Sequence, residues 1–305
     1  MIVTNEHELE DLLSRPNEAD VEAVRQLGGD FLLLGVAGKM GPSLALRVKR
    51  AVTAAGVASR VIGVSRFSSP YNRQLLEDQG IETVSADLLQ EDQLAALPDA
   101  PNVIYLAARK FGATGDEAYT WAMNTYLPAR VAQRFKQSRI VAFSSGNVYP
   151  LVPVASGGAT EQTPVEPVGE YAISALGRER MFTHFSVVHG TPVTLLRLNY
   201  AVELRYGVLY DIGRKVFERE VVDLAMGNAN VIWQGDANSI CLRSLLHASS
   251  PPLVLNLTGP ETLSVRWVAR EFGRRFGVTP EFVGEERPTA LLNNAAQCFR
   301  LFGYP

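Results

Sequence analysis

The chain has 305 residues, 47% of them hydrophobic and 20% charged, with a formal net charge of −3. That profile excludes a disordered or fibrous chain, and the lack of a basic stripe argues against a nucleic-acid partner. Apolar runs such as Phe31–Leu34 and Val103–Ala108 are far shorter than the ~20 residues that cross a bilayer, so no membrane partner is expected. Glu6, Glu8, Glu10 and Asp11 stand where a secretory leader needs positive charge, so the expected location is cytoplasmic. Cys241, Cys298 and the four scattered histidines form neither a disulfide framework nor a ligand spacing, so no metal is expected. Only five basic residues are lysines: Lys39, Lys49, Lys110, Lys136 and Lys215.

Residues 1–29 read as a helical extension. Asn5 can cap a segment carrying Leu9, Leu12 and Leu13, Pro16 breaks it, and Asp20 starts a second short helix that Gly28-Gly29 ends. Phe31–Leu34 is a continuous apolar run, the pattern of a central parallel strand buried on both faces. A glycine turn and a helix from Pro42 to Ala55 follow. The alternation then repeats: strand Val61–Val64 and helix Tyr71–Gln79, strand Glu82–Ser85 and helix Gln90–Leu97. Strand Val103–Leu106 precedes one long helix over Glu117–Phe135. Strand Ile140–Phe143 precedes a helix through Tyr171–Phe185, and strand Val193–Leu198 closes the series. Such units predict an α/β fold with a doubly wound parallel sheet.

After Asn199 the rhythm is lost. Val231–Trp233 and Val254–Leu257 read as isolated strands, and Ser264–Phe276 as an amphipathic helix. The expected plan is an extension over 1–29, a nucleotide-binding domain over 30–199, and a mainly substrate-binding part over 200–305. That last part is interleaved with the final strands and shapes the ligand crevice. Pro150–Pro167 reads as a loop and not as a border between domains.

Gly35, Gly38, Lys39, Met40 and Gly41 lie between the first strand and its helix. Glycines there permit the tight turn and a close backbone approach to a pyrophosphate, and the helix N-terminus favours negative charge. Strand, turn and helix together point to a dinucleotide.

The spacing G-x-x-G-x-x-G resembles that of the extended short-chain dehydrogenases, the group of NAD(P)-dependent nucleotide-sugar epimerases and dehydratases. The resemblance runs from about residue 30 to the C-terminus, where Leu301-Phe-Gly303-Tyr-Pro305 echoes a late family motif. It implies a Rossmann sheet, with Asp87 and Leu88 at the adenine and Leu106-Ala107-Ala108 below the nicotinamide ribose. Ser144-Ser145-Gly-Asn-Val148-Tyr149 is similar to the family's S-S-x-x-V-Y-G, with Pro150 in place of the glycine. Tyr171-Ala-Ile-Ser174, with Glu179 eight residues after the tyrosine, is similar to Y-x-x-S-K-x-x-x-E. The resemblance implies Tyr171 as acid/base, Ser145 orienting a substrate oxygen, and Ser144 and Asn199 binding substrate. It implies a sugar derivative as substrate and a homodimer paired through helices about 117–135 and 171–185. The Asp-Glu pair of the family's dehydratases is replaced by Gly146 and Asn147, which counts against dehydration.

After the second strand the chain reads Ser65-Arg66 where a carboxylate usually receives the adenosine ribose. A serine and a guanidinium suit a 2′-phosphate, so NADP is the expected cofactor and NAD the alternative, with Arg66 then a surface or adenine-stacking residue. Lys39 adds nearby charge. The departure is at position 175, where the family lysine is replaced by alanine. Moving a tyrosine from ~10 towards ~7 takes about 4 kcal/mol of electrostatic help. Lys110, two residues past Leu106-Ala107-Ala108, is one candidate for that cation, and a solvated loop lysine is the other reading. The two functional readings are an oxidoreductase or epimerase with a substitute cation, and a dinucleotide-binding sensor or regulatory protein that has lost its chemistry.

Overall fold

Asn5 opens helix α1 (Glu6–Ser14) by accepting a hydrogen bond from the Glu8 N–H at 3.0 Å. The computed structural model describes residues 2–110 and 115–305. Helix α2 (Glu18–Leu27) starts earlier than Asp20, because Asn17 is its cap and Asp20 the answering residue of a capping box. The Asn17 side chain accepts from the Asp20 N–H at 2.9 Å, and the Asp20 carboxylate accepts from the Asn17 N–H at 3.0 Å. Gly28, at φ +60°, ends the helix.

The strands that follow are β1 (Phe31–Leu34), β2 (Val61–Ser65), β3 (Glu82–Ser85), β4 (Asn102–Tyr105), β5 (Arg139–Ser145), β6 (Val193–Leu198) and β7 (Leu253–Leu257). They form one sheet in the order β7-β6-β5-β4-β1-β2-β3. The pairings of β1 with β2 and β4, of β2 with β3 and of β4 with β5 are parallel. The doubly wound Rossmann sheet is therefore present. All four residues of β1 are buried, as a central strand requires. The sequence suggests that the strand 193–198 closes the series, and in the structure it does not. Leu253–Leu257, expected to stand alone, is the edge strand beside it, with its last three residues buried. Ile232–Trp233 is not isolated either, since it pairs in parallel with Ala201–Val202.

The connecting helices are α3 (Gly41–Ala55), α4 (Pro70–Asp78), α5 (Glu91–Ala95), α6 (Glu117–Trp121), α7 (Leu127–Arg134) and α8 (Glu170–His189). The long helix expected over 117–135 is interrupted by a π-helical turn, Ala122–Tyr126. Pro128 follows at the start of α7, where its missing N–H cannot continue the regular ladder.

The chain divides into two compact units. The first comprises residues 1–144, 168–196 and 238–254, and the second 145–167, 197–237 and 255–305. The loop Pro150–Pro167 thus belongs to the second unit, and a border lies at its end. That unit has its own core, in which Ile212 and Val216 of α9 (Val208–Phe217) meet Val265, Val268 and Ala269 of α11 (Val265–Phe276). The remaining helices are α10 (Gln234–Ser244) and α12 (Ala296–Phe302). No helix among the described residues is long and apolar enough to cross a membrane.

In the first unit α1 and α2 pack on α3, the helix that begins at the glycine turn. Arg47 of α3 donates from Nε and lies 2.7 Å through Nη2 from the same oxygen of Asp20, which is fully buried. The other Asp20 oxygen accepts from Ser239 at 2.6 Å. Removing one partner of such a pair leaves a charge buried and uncompensated. Asp20→Asn should therefore lower the unfolding free energy by about 3–5 kcal/mol, read from denaturant midpoints. Arg47→Met added to it should recover much of the loss. A loss under about 1 kcal/mol would show that water already screens the pair.

Candidate active site

The glycine turn is built from three positions with different constraints. Gly35 has φ +90°, and a Cβ on it would lie 2.7 Å from the Ala107 nitrogen. Gly41 opens α3, and a Cβ there would fall 2.0 Å from the Val36 carbonyl oxygen. Both are required by the fold itself. Gly38 differs: it is exposed, and its added Cβ would meet only the Gly35 carbonyl oxygen, at 3.3 Å. Its N–H donates to that oxygen at 3.1 Å. Lys39 is exposed beside it, and Met40 caps α3 without a side-chain hydrogen bond or an acidic first turn. The turn is thus an open, non-acidic cradle at a helix N-terminus.

Ser65 ends β2, and the exposed Arg66 donates to the Tyr119 hydroxyl at 3.2 Å. The Arg109 guanidinium lies over the same ring, 4.7 Å from its centroid, and is paired with Asp116 at 2.7 Å. The half-buried Asp87 accepts from the Leu89 N–H at 3.0 Å, and Leu88 is buried. Leu106 donates its N–H to Leu34 at 2.8 Å, Ala107 is buried against Gly35, and Ala108 is exposed. The structure so brings the end of β4 onto the first glycine.

The Tyr171 face of α8 is organised by Asn124, a fully buried residue of the π-helical turn. Its Oδ1 accepts from the Arg109 N–H at 2.8 Å, and its Nδ2 donates to the Arg109 carbonyl at 2.9 Å. The same amide donates to Ser174 Oγ at 3.0 Å and accepts from Arg178 Nη2 at 2.9 Å. Ser174 in turn donates to the Tyr171 carbonyl at 2.9 Å. Arg178, only 2% exposed, also donates to the Phe143 carbonyl at 2.8 Å, and its Nε is buried without a partner. Burial pushes the nearby Tyr105 phenol well above its usual range, while the Arg178 charge pulls the other way. Tyr171 itself is half-buried, and Ala175 is fully buried. Lys110 is exposed, next to residues 111–114, which lie outside the described set.

Ser144 is buried and donates to Glu179 at 2.6 Å, so its hydroxyl has a structural partner. In the second unit Ser145 accepts from the Asn147 N–H at 3.2 Å and caps the short turn 146–148. The Asn199 amide is buried and donates to Asn230 at 2.8 Å and to the Leu291 carbonyl. It belongs to a chain of buried amides: Asn230 donates to the Asn293 carbonyl, Asn293 to Asn256, and Asn256 accepts from Tyr149 at 2.9 Å. Arg197 donates to the Tyr149 hydroxyl at 2.6 Å. The second unit also holds a cavity of about 580 Å³, lined by Val202, Leu209, Tyr210, Phe217, Trp233 and Phe272.

Sequence reasoning did not single out Asn124, Tyr119 or Arg178. The available signals were a polar residue among Ala122, Met123 and Tyr126, and an arginine on the inward face of α8 between Ala175 and Phe182.

Comparison with known proteins gives the family and the fold. Residues 31–203 match the model of the NAD dependent epimerase/dehydratase family. The chain belongs to that family. Similar solved structures include UDP-glucuronic acid 4-epimerase from Bacillus cereus in complex with NAD, at 17% identity and TM-score 0.72, covering 90% of this chain and 93% of that one. The dTDP-glucose 4,6-dehydratase from Bacillus anthracis, in complex with NAD, aligns at 16% identity and TM-score 0.74 over 91% of each chain. That of Streptomyces venezuelae, with NAD and TYD bound, gives 16% and 0.74 over 90% of this chain and 91% of that one. These identities establish a shared fold. No curated protein matches the chain.

The three glycines should separate by stability. Gly35→Ala and Gly41→Ala should each cost about 1–3 kcal/mol through backbone overlap. Gly38→Ala should stay within about 0.5 kcal/mol, as an exposed position does. Equal losses in chemical denaturation at all three would show that the cradle is only structural.

Proposed function

We propose that the protein is an NADP-dependent oxidoreductase or epimerase acting on a sugar or nucleotide-sugar-like substrate. The observation that carries the reading is Gly38: within a turn whose other two glycines the fold demands, it is exposed, and an added Cβ would meet only the Gly35 carbonyl oxygen, at 3.3 Å, so its place in the turn is explained by a close backbone approach of a dinucleotide. Gly35, Gly38, Lys39, Met40 and Gly41 would hold the pyrophosphate, Asp87 and Leu88 the adenine, and Leu106, Ala107 and Ala108 the nicotinamide ribose. Ser65 and Arg66, the latter oriented by Tyr119, would grip a 2′-phosphate. NAD is the alternative, and it is the dinucleotide present in the similar structures. When bound, the dinucleotide supplies reversible hydride transfer.

Within this reading Tyr171 takes up or releases the proton of the substrate hydroxyl, and Ser145 orients that oxygen. Ser144 holds Glu179, and Asn199 shapes the substrate side through Asn230. Lys110 is one source of the positive charge that Ala175 lacks. Exposed Trp121, Tyr126 and Ile173 on the helices about 117–135 and 171–185 suit pairing of two copies. The second reading, a dinucleotide-binding sensor without turnover, is favoured by Ala175 alone.

Three measurements test the proposal. Titration of the purified protein should show tighter binding of NADP than of NAD. Arg66→Ala should remove about tenfold to a hundredfold of that preference, the range of a charge-assisted contact. Equal affinities in the unsubstituted protein would exclude the 2′-phosphate site. Gly38→Val should abolish dinucleotide binding while the free protein keeps its cooperative unfolding, and retained binding would overturn the cradle. Lys110→Ala should lower turnover at least ~10-fold if that lysine supports Tyr171, and full activity would remove it from the site.

A further inference from the structure

Position 178 offers an answer to the alanine at 175, resting on the proposal that the protein binds a nicotinamide dinucleotide and uses Tyr171. In a helix, residues 171, 175 and 178 share a face, and a long side chain leans back towards the helix N-terminus. The Arg178 side chain does this. Its guanidinium donates to the Asn124 amide oxygen, and the same amide donates to Ser174 Oγ, so the cation sits at the level of the turn that carries Ala175. Other contacts come from the Phe143 carbonyl of β5 and, electrostatically, from the Tyr105 phenol of β4.

A guanidinium that is 2% exposed is costly without negative charge. Among the described residues none of its contacts is a carboxylate: Glu179, its neighbour in sequence, is turned to Ser144. One of its donors, Nε, is buried and unpartnered. A buried cation lacking a counter-charge, on the face of the proposed acid/base, is preorganised for negative charge that develops during a reaction.

We propose that Arg178 stands in for the lysine absent from position 175. It acts as a positioning residue, not as a contact to the ligand. From beneath the site it fixes, through Asn124, both the Ser174-Tyr171 turn of α8 and the Arg109 backbone that follows Leu106-Ala107-Ala108. It also places a permanent positive charge there, since arginine does not deprotonate in this range. The cation has moved by one helical turn and changed from an exposed-tip ammonium to a buried fork.

The test is relocation of the charge, with reduced dinucleotide binding followed by nicotinamide fluorescence and folding followed by thermal unfolding. Arg178→Met should weaken binding about tenfold or more. Ala175→Lys added to Arg178→Met should recover most of that loss, because a lysine at 175 then has both the space and the role. Ala175→Lys with Arg178 retained should give no gain in affinity and a lower melting temperature, since two cations then compete for one site. A merely structural Arg178 would not be rescued by a lysine at another position. The inference is overturned if Arg178→Met binds as the unsubstituted protein does, or if the double variant is no better than the single one. It is also overturned if Ala175→Lys alone tightens binding tenfold, which would show that the site had lacked a cation. If Arg178→Met does not fold, this last comparison decides. Failure of the unsubstituted protein to bind either dinucleotide would instead reject the functional proposal, and this inference with it.

Discussion

The buried amide of Asn124 is the interaction on which the Tyr171 face of α8 in the first unit depends. One side chain receives and donates to the Arg109 backbone, donates to Ser174 and accepts from Arg178. Its donors and acceptor are engaged by three separate segments: the loop after β4, the first turn of α8, and the guanidinium behind it. A buried amide left half-satisfied costs about 1–3 kcal/mol, so the three segments are held to one arrangement. The π-helical turn is what puts this amide inside. An extra residue per turn widens the helix there, and Pro128 just beyond cannot supply the N–H that a regular turn would need.

The glycine turn depends on a different constraint, the close approach of backbone to backbone. β1 and β4 are paired in register, Leu34 against Tyr105, so the residues following each strand emerge side by side. Only a glycine at 35 lets Ala107 come so near, and only a glycine at 41 lets α3 begin directly under the Val36 carbonyl. The helix that carries this turn is anchored at its middle by the buried Arg47–Asp20 pair. The N-terminal helices thereby fix the element whose N-terminus forms the cradle.

Elements defined by local composition were legible in the chain. β1 and β6 fall on the residues expected, because a short apolar run bounded by turn residues has few alternatives. The sequence places the start of α2 two residues late because Asn17 and Asp20 are both good caps, and only their reciprocal bonds distinguish the cap from its partner. The π-helical turn left no periodicity to read, being a single turn within a helical stretch. The edge strand β7 reads as isolated in the sequence because its partner, β6, is distant along the chain. The residues named from motifs lie in the turns that follow the expected strands or, like Tyr171, on α8. The residues that organise them, Asn124 and Arg178, were not legible, since a buried polar side chain declares its role only through partners brought together by the fold.

Packing explains why a cation would enter from position 178 and not from 175. α8 crosses the π-helical turn closely: a Cβ on Gly177 would lie 2.5 Å from Thr125 Oγ1, and Thr125 donates to the Ser174 carbonyl at 3.1 Å. Ala175, fully buried, lies on the turn so held. With the Arg178 guanidinium already at this level, a lysine stem at 175 would compete for the same volume, and overpacking costs about 1–3 kcal/mol. Alanine at 175 and arginine at 178 are therefore one structural choice. Each makes sense of the other, and neither does so alone.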